Sequence, residues 1–254
     1  MEKLFIKNRK GEEISVLIET VKNPRGLIFV LHGTGGIKEN DPMATFARVF
    51  LDNNYNVVRF DATNTFGESY GQHDDMTFDS FYEDLEDVVK WSKQQDFYLE
   101  PFIISAYSLS AMCSLYFTQN HPSLVKALVL ISAVFDGETF IKKYSPKELL
   151  DWEKTGIRIW LSKYGYEKRL KYSYIESMKK TDVFKGVSKI KVPVILLNGD
   201  IDDTTPLKDQ KIFFEALSCD KELHVIDGVG HSFRSKDHSS KIYNILNEWI
   251  KKLK

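Results

Sequence analysis

Six short runs of β-forming, mostly apolar residues recur along the chain, separated by segments with helical patterns. The runs are RGLIFVLHG, YNVVRFDAT, PFIISAYS, VKALVLISAV, VPVILLNGD and ELHVIDGVG. Several are nearly continuous in apolar character, as parallel strands must be when helices cover both faces of a sheet. Helical patterns run over roughly 43–53, 78–94, 109–120, 207–217 and 239–253. Such alternation implies a mostly parallel α/β sheet with crossover helices on both faces. EEISVLIETV, ahead of the first run, reads as an antiparallel strand at one edge. Residues from about 136 to 189 break the rhythm. They are too many for one crossover and carry aromatic-rich helical patterns. We expect them to form a helical cap inserted before the VPVILLNGD strand, within a single domain of 254 residues.

Composition excludes several classes. A formal net charge of −1 gives no reason to expect nucleic acid or an anionic membrane as the main partner. Cys113 and Cys219 are too few for a disulfide framework and lack metal-ligand spacing. The opening MEKLFIKNRKGEEISV becomes charged too early for a signal peptide, and no apolar stretch approaches a membrane span. The expected location is the cytoplasm. There are no internal repeats.

In an open parallel sheet, chemistry gathers at the carboxyl ends of the strands. FIISAYSLSAMCSLYF places Ser105, Ser108 and Ser110 around one such end. Ser105 falls inside the strand, and Ser110 in the first helical turn, where serine is a common cap. Ser108 falls on the strand-to-helix turn itself, at a helix N-terminus whose backbone N–H groups point at a reacting atom. That turn is tight and wants small residues two positions before and after; Ala106 and Ser110 stand there. A serine hydroxyl needs a base to take its proton and a carboxylate to orient the base. VILLNGDIDDTTP offers Asp200, Asp202 and Asp203 after one strand, and HVIDGVGHSF offers His231 after the last.

The order serine, acid, histidine resembles the α/β-hydrolase superfamily, over nearly the whole chain. LHGTGG resembles its oxyanion-hole loop after the third strand. NGDIDDTTP resembles the G-x-x-D-x-x-x-P acid loop, which selects Asp202, and GVGHSF resembles the histidine loop. The resemblance implies Ser108 as nucleophile, His231 as base, Asp202 as its orienting acid, and the Thr34 and Leu109 N–H groups as oxyanion donors. It implies no metal and no organic cofactor. The insert and FGESYGQHDDMTFDSFYEDLEDVVKWS are similar to feruloyl/cinnamoyl esterases and monoacylglycerol lipases. Those usually carry D-x-x-G-x-G-x-S after the fourth strand; here DATNTFGES has one extra residue between Asp61 and Ser69 and only Gly67 of the two glycines. The extra residue and SLSA at the serine are similar to acyl-carrier-protein thioesterases of luminescence operons, which lack the HG loop kept here. The expected function is therefore serine hydrolysis of a small-molecule acyl ester or thioester. The alternatives are a thioesterase or acyltransferase with an acyl carrier as leaving group, and a non-catalytic binding protein on the same fold.

The remaining histidines read as structural. His224 lies in a strand pattern, and His32 is expected to hold backbone. His73, beside Asp74 and Asp75 in GQHDDM, reads as an exposed polar turn, since no further ligand-like spacing accompanies it. Cys113 belongs to the core. In the insert, Phe140, Tyr144, Trp152, Trp160, Tyr164, Tyr166, Tyr172 and Tyr174 are expected mostly to pack it onto the sheet. Its Lys and Arg residues make its local charge positive, as a solvated helix face or an attraction for an anionic carrier.

Overall fold

The computed structural model describes residues 1–161, 167–233 and 235–253. In chain order the elements are β1 (Glu2–Lys7), β2 (Glu13–Glu19), β3 (Gly26–Leu31), α1 (Asp41–Asp52), β4 (Tyr55–Phe60) and α2 (Phe78–Ser92). Next come β5 (Phe102–Tyr107), α3 (Leu109–Asn120), β6 (Val125–Ile131), α4 (Gly137–Ile141), α5 (Pro146–Thr155), β7 (Ile157–Leu161) and β8 (Glu167–Lys171). The chain closes with α6 (Ser173–Lys179), β9 (Val194–Gly199), α7 (Leu207–Ala216), β10 (Lys221–Ile226) and α8 (Lys236–Lys252).

Eight strands form one sheet in the order β1-β2-β4-β3-β5-β6-β9-β10. Pairing is parallel from β4 through β10, and antiparallel only where β2 meets β1 and β4. The fold is that of the α/β-hydrolases. β2 is antiparallel as expected but is not the edge, because β1 pairs along its whole length. In the EKLFIK strand, charged and exposed Glu2, Lys3 and Lys7 flank the apolar Leu4, Phe5 and Ile6, and such charges protect a sheet edge from further pairing.

Residues of β3 alternate between two cores. Ile28 and Val30 pack on the side of α1 and α8, while Leu27, Phe29 and Leu31 pack on the side of α2 and α3. α8 has an apolar stripe, burying Ile242, Leu246, Trp249 and Ile250. α3 is buried nearly all round, which is why its sequence shows no such stripe. Between β6 and β9 the described residues form α4, α5, α6, a 3-10 helix at Phe184–Lys189 and the antiparallel pair β7–β8, so this segment is not wholly helical. The alternation in IRIWL and EKRLK is interrupted by charge, and that hides the strands from a periodicity reading. Trp152 and Tyr174 are buried there, and Tyr144, Trp160 and Tyr172 pack against the core; Tyr164 and Tyr166 lie outside the described residues. Among the described residues, no helix is long and apolar enough to cross a membrane.

His73 is buried rather than exposed. It donates from Nδ1 to the Arg169 carbonyl at 2.8 Å and stacks on Phe66 at 4.0 Å. It therefore joins the 72–76 turn to the hairpin, helped by an Asp74–Arg169 pair at 3.0 Å. Among the described residues, no group of three or more His, Cys, Asp or Glu is placed to hold a metal.

The loops after β3 and β4 are clamped together by a buried ion pair. Lys38 Nζ lies 2.7 Å from Asp61 Oδ2 and 2.7 Å from the half-exposed Glu68, while the Lys38 N–H donates to Asp61 Oδ1 at 2.7 Å. Asp61 Oδ2 also accepts the Glu68 N–H at 2.9 Å, which sets the turn of DATNTFGES. Breaking a buried pair leaves an uncompensated charge, at a typical cost of about 3–5 kcal/mol. Lys38→Met should cost about 3 kcal/mol of unfolding free energy in urea, the lower end because Glu68 admits water. Adding Asp61→Asn should recover part of that loss; a single-variant loss below about 1 kcal/mol would show that the pair is not the clamp.

Candidate active site

Ser108 occupies the turn between β5 and α3 with φ +60° and ψ −119°. This backbone region is unfavourable for a residue bearing a Cβ and is held only by its surroundings. Three contacts hold it. The Ser108 N–H donates to the Ile131 carbonyl at 3.0 Å, and the Ser108 carbonyl accepts the Val134 N–H at 3.1 Å. Ser110 Oγ accepts the Tyr107 N–H at 2.9 Å and shares its own proton between the Tyr107 and Leu31 carbonyls. Ser110 thus braces the turn instead of merely capping α3. Across the turn, a Cβ added to Gly33 would come within 2.9 Å of Ser108 Cβ, so only glycine lets the β3 loop pass here. Ser105 lies in β5, fully buried, and among the described residues its hydroxyl has no partner and meets neither His231 nor an acid.

His231 stands in the loop after β10, with Nε2 3.1 Å from Ser108 Oγ and Nδ1 3.0 Å from Asp202 Oδ2. Both carboxylate oxygens accept, so the network assigns the proton to Nδ1 and leaves Nε2 free to take the serine proton. The loop is anchored on three sides. Tyr107 OH donates to the His231 carbonyl, and its ring stacks on the imidazole at 5.4 Å. Asp200 Oδ1 accepts the Val229 N–H at 3.2 Å. Gly199 permits the crossing, because a Cβ there would sit 1.9 Å from the Val229 carbonyl oxygen.

Of the three candidate aspartates, only Asp202 meets the histidine. Asp200 ties the loop, and Asp203 is exposed, accepting the Thr204 hydroxyl at 3.3 Å. Asp202 Oδ1 accepts the Thr204 and Thr205 N–H groups, each at 2.9 Å, while Oδ2 accepts the Thr205 and Ser132 hydroxyls, each at 2.7 Å. Burial pushes its carboxyl upward, but the His231 imidazole, the Thr205 N–H and the Ser132 hydroxyl outweigh it and bring it down to about 2. Ser132 itself sits at φ +43° at the end of β6. Sequence reasoning missed Ser132, Thr205 and Tyr107; the available signal was that each lies next to a strand's carboxyl end or in the acid loop.

Leu109 is the first residue of α3, and Thr34 follows Gly33 in the loop facing Ser108. His32 shapes that loop as expected. Its Nδ1–H donates to the Gly33 carbonyl at 2.8 Å, and its Nε2 accepts the Ala62 N–H at 3.2 Å. Burial lowers its pKa, consistent with this neutral tautomer. His224 pairs with Glu222 at 2.9 Å, and Cys113 is buried. Beside the Asp202 loop lies a cleft of about 290 Å³, lined by Val134, Phe135, Phe140, Lys143, Thr205 and Ile212 among others.

A strained serine at a strand-to-helix turn thus faces a histidine and a buried aspartate above the mostly parallel sheet of an α/β-hydrolase fold. Residues 22–164, more than half of the chain, match the serine aminopeptidase S33 family, and the chain belongs to it. Among solved structures, Est1E from Butyrivibrio proteoclasticus with ferulic acid bound is 19% identical, with a TM-score of 0.84 and 98% of each chain covered. Mouse alpha/beta hydrolase domain-containing protein 10 is also 19% identical, with a TM-score of 0.82 over 100% of each chain. An esterase from Exiguobacterium antarcticum is 18% identical, with a TM-score of 0.70, covering 97% of this chain and 98% of that one. At these identities the likeness is one of fold.

The Asp202 shift has a measurable sign. A carboxyl depressed in the folded state contributes stability above its unfolded value and loses it as pH falls toward its folded one. The Asp202 contribution, roughly 2 kcal/mol, is present above pH 5 and fades toward pH 2. The stability gap between the native protein and Asp202→Asn in urea melts should therefore narrow from pH 5 to pH 3. A gap constant over that window would show that Asp202 is not the depressed group.

Proposed function

We propose that the chain is a serine hydrolase of carboxylic esters, acting through an acyl-enzyme. The observation that carries this reading is the unbroken relay from Ser108 Oγ through His231 to Asp202, at 3.1 and 3.0 Å. His231 Nε2 takes the serine proton as Oγ bonds to the acyl carbon, giving a tetrahedral oxyanion. The imidazolium then returns that proton to the departing alcohol as the ester bond breaks. Water, deprotonated by the same nitrogen, attacks the acyl carbon, and the imidazolium gives that proton to Oγ as the acyl–Oγ bond breaks, releasing the acid and free Ser108. Asp202, held ionised by its donors, fixes the imidazole tautomer and stabilises the cation that forms.

The oxyanion needs fixed donors. The Leu109 N–H opens α3 and has no intrahelical carbonyl to serve, so it is available to a substrate oxygen. The Thr34 N–H is the second donor by its place in the loop that packs on the elbow at Gly33. Losing one such donor typically costs about 3 kcal/mol of activation energy.

The test combines labelling and kinetics. A fluorophosphonate probe should label Ser108, and Ser108→Ala should abolish both labelling and p-nitrophenyl ester hydrolysis. Asp202→Asn should cost on the order of 10⁴-fold in kcat, as in a well-studied triad, with Asp200→Asn and Asp203→Asn milder. kcat/KM should fall on the acid side, because a protonated imidazole cannot accept the serine proton. An unlabelled protein would be a binding protein on this fold. Preferential turnover of acyl-pantetheine thioesters or aminoacyl anilides would move the reading to an acyl-carrier thioesterase or to the aminopeptidase activity in the family's name.

A further inference from the structure

The cleft beside the Asp202 loop carries a charge that the relay does not use. It adjoins the relay through two residues of its lining. Val134 donates its N–H to the Ser108 carbonyl at 3.1 Å, and Thr205 holds Asp202 at 2.7 Å. Val134, Phe135, Phe140 and Ile212 give it an apolar wall suited to a hydrocarbon or aromatic arm.

Four charged side chains line this cleft: Lys143, Asp136, Asp203 and Asp209. The three acids keep their negative charge, each in its own local setting. Asp136 caps α4, accepting the Glu138 N–H at 3.3 Å and the Thr139 N–H at 2.8 Å. Asp203 accepts the Thr204 hydroxyl, and Asp209 lies in the first turn of α7, where the helix dipole favours negative charge. Lys143 has no ion pair among the described residues; its Nζ rests 3.2 Å from the Phe140 ring centre. The Arg158 guanidinium, whose charge acts on Lys143, is paired with Glu148 at 3.1 Å.

We propose that this cleft is a subsite for a substrate arm ending in a carboxylate, which Lys143 pairs with while the ester carbonyl lies at Ser108. The proposal rests on the serine-esterase reading and names its substrate class: esters carrying a second, free carboxylate on a short apolar arm. A carboxylate supplies the ammonium with the acceptor that an aromatic face replaces only in part. The environment of Lys143 fits this need. Crowding by protein atoms and the Arg158 guanidinium push its ammonium down to about 7, against the opposing pull of Asp202 and Asp203, although the residue keeps a solvent-exposed surface.

Binding is measured first without turnover. Ser108→Ala protein is titrated calorimetrically with 3-phenylpropanoate and with its neutral amide, with and without Lys143→Met. The acid should bind about tenfold more tightly than the amide, as a charge-assisted hydrogen bond allows. Lys143→Met should remove that preference and Lys143→Arg should keep most of it. Failure of the acid to bind, equal binding of acid and amide, or a preference that survives Lys143→Met overturns the proposal. Active protein is then given the p-nitrophenyl half-ester of adipic acid and the same ester with its carboxyl methylated. The kcat/KM ratio of free to capped ester should be about tenfold and fall to near one in Lys143→Met. Carboxylate binding by Lys143 without hydrolysis of either ester would overturn the esterase reading instead, so the two failures are distinguishable.

Discussion

A serine held at φ +60° stores strain, on the order of 1–3 kcal/mol, that its neighbours must oppose. The strain aims Oγ out of the sheet and toward His231 Nε2. The resisting groups come from three strands: Ile131 closing β6, the Leu31 carbonyl closing β3, and the Tyr107 backbone closing β5. Ser110 joins the last two through one hydroxyl. Where glycine would only leave room, this serine adds hydrogen bonds, so the small-residue requirement of the turn is met by bracing as well as by absence. The same turn sets the path of the β3 loop, because Gly33 must pass Ser108 Cβ at van der Waals distance. The nucleophile candidate and the loop carrying Thr34 are thus placed by one contact.

The other half of the site is held by redundancy. His231 sits on a loop between the buried Val229 and Phe233, and its backbone, its ring and Val229 each have their own anchor. Tyr107 supplies two of these and belongs to the strand that ends at Ser108, so any shift of β5 moves both partners of the 3.1 Å contact together. Asp202 is fixed still more firmly. Its four donors other than His231 all come from the acid loop and from Ser132 at the end of β6. An imidazole facing so fully satisfied a carboxylate has one orientation open to it, with Nε2 toward Ser108.

Much of this was legible in the sequence because it rests on local periodicity and local spacing. Strands buried on both faces read as continuous apolar runs, and the spacing from Gly199 to Asp202 reflects a turn that only glycine fits against Val229. What escaped notice depends on chain segments meeting from a distance. EKLFIK reads as an unremarkable charged terminus until it is seen covering β2, and IRIWL and EKRLK gain strand character only by pairing. His73 looked like part of a polar turn because its partners, Phe66 and the Arg169 carbonyl, lie in other segments. Ser132 and Thr205 are ordinary small polar residues in sequence; only the folded chain directs both hydroxyls at one carboxylate oxygen.

Two kinds of attachment meet at the β3 loop, and they differ in physical character. On its inner side the loop is tied to the sheet by the fully buried Lys38–Asp61 pair, shielded from salt and costly to open. On its outer side, Lys168 of the hairpin reaches Gly35 so closely that an added Cβ would lie 2.8 Å from its Nζ. That hairpin is tied down in part by ion pairs open to solvent, Asp74–Arg169 and Asp75–Lys171, which salt screens and which individually contribute little. The loop that carries Thr34 is thus anchored from beneath by a buried pair and from above by contacts open to solvent. The buried His73 adds a tie of a third kind between the hairpin and the 72–76 turn, because its Nδ1 donates to the hairpin backbone itself, a bond that does not depend on a pair of opposite charges.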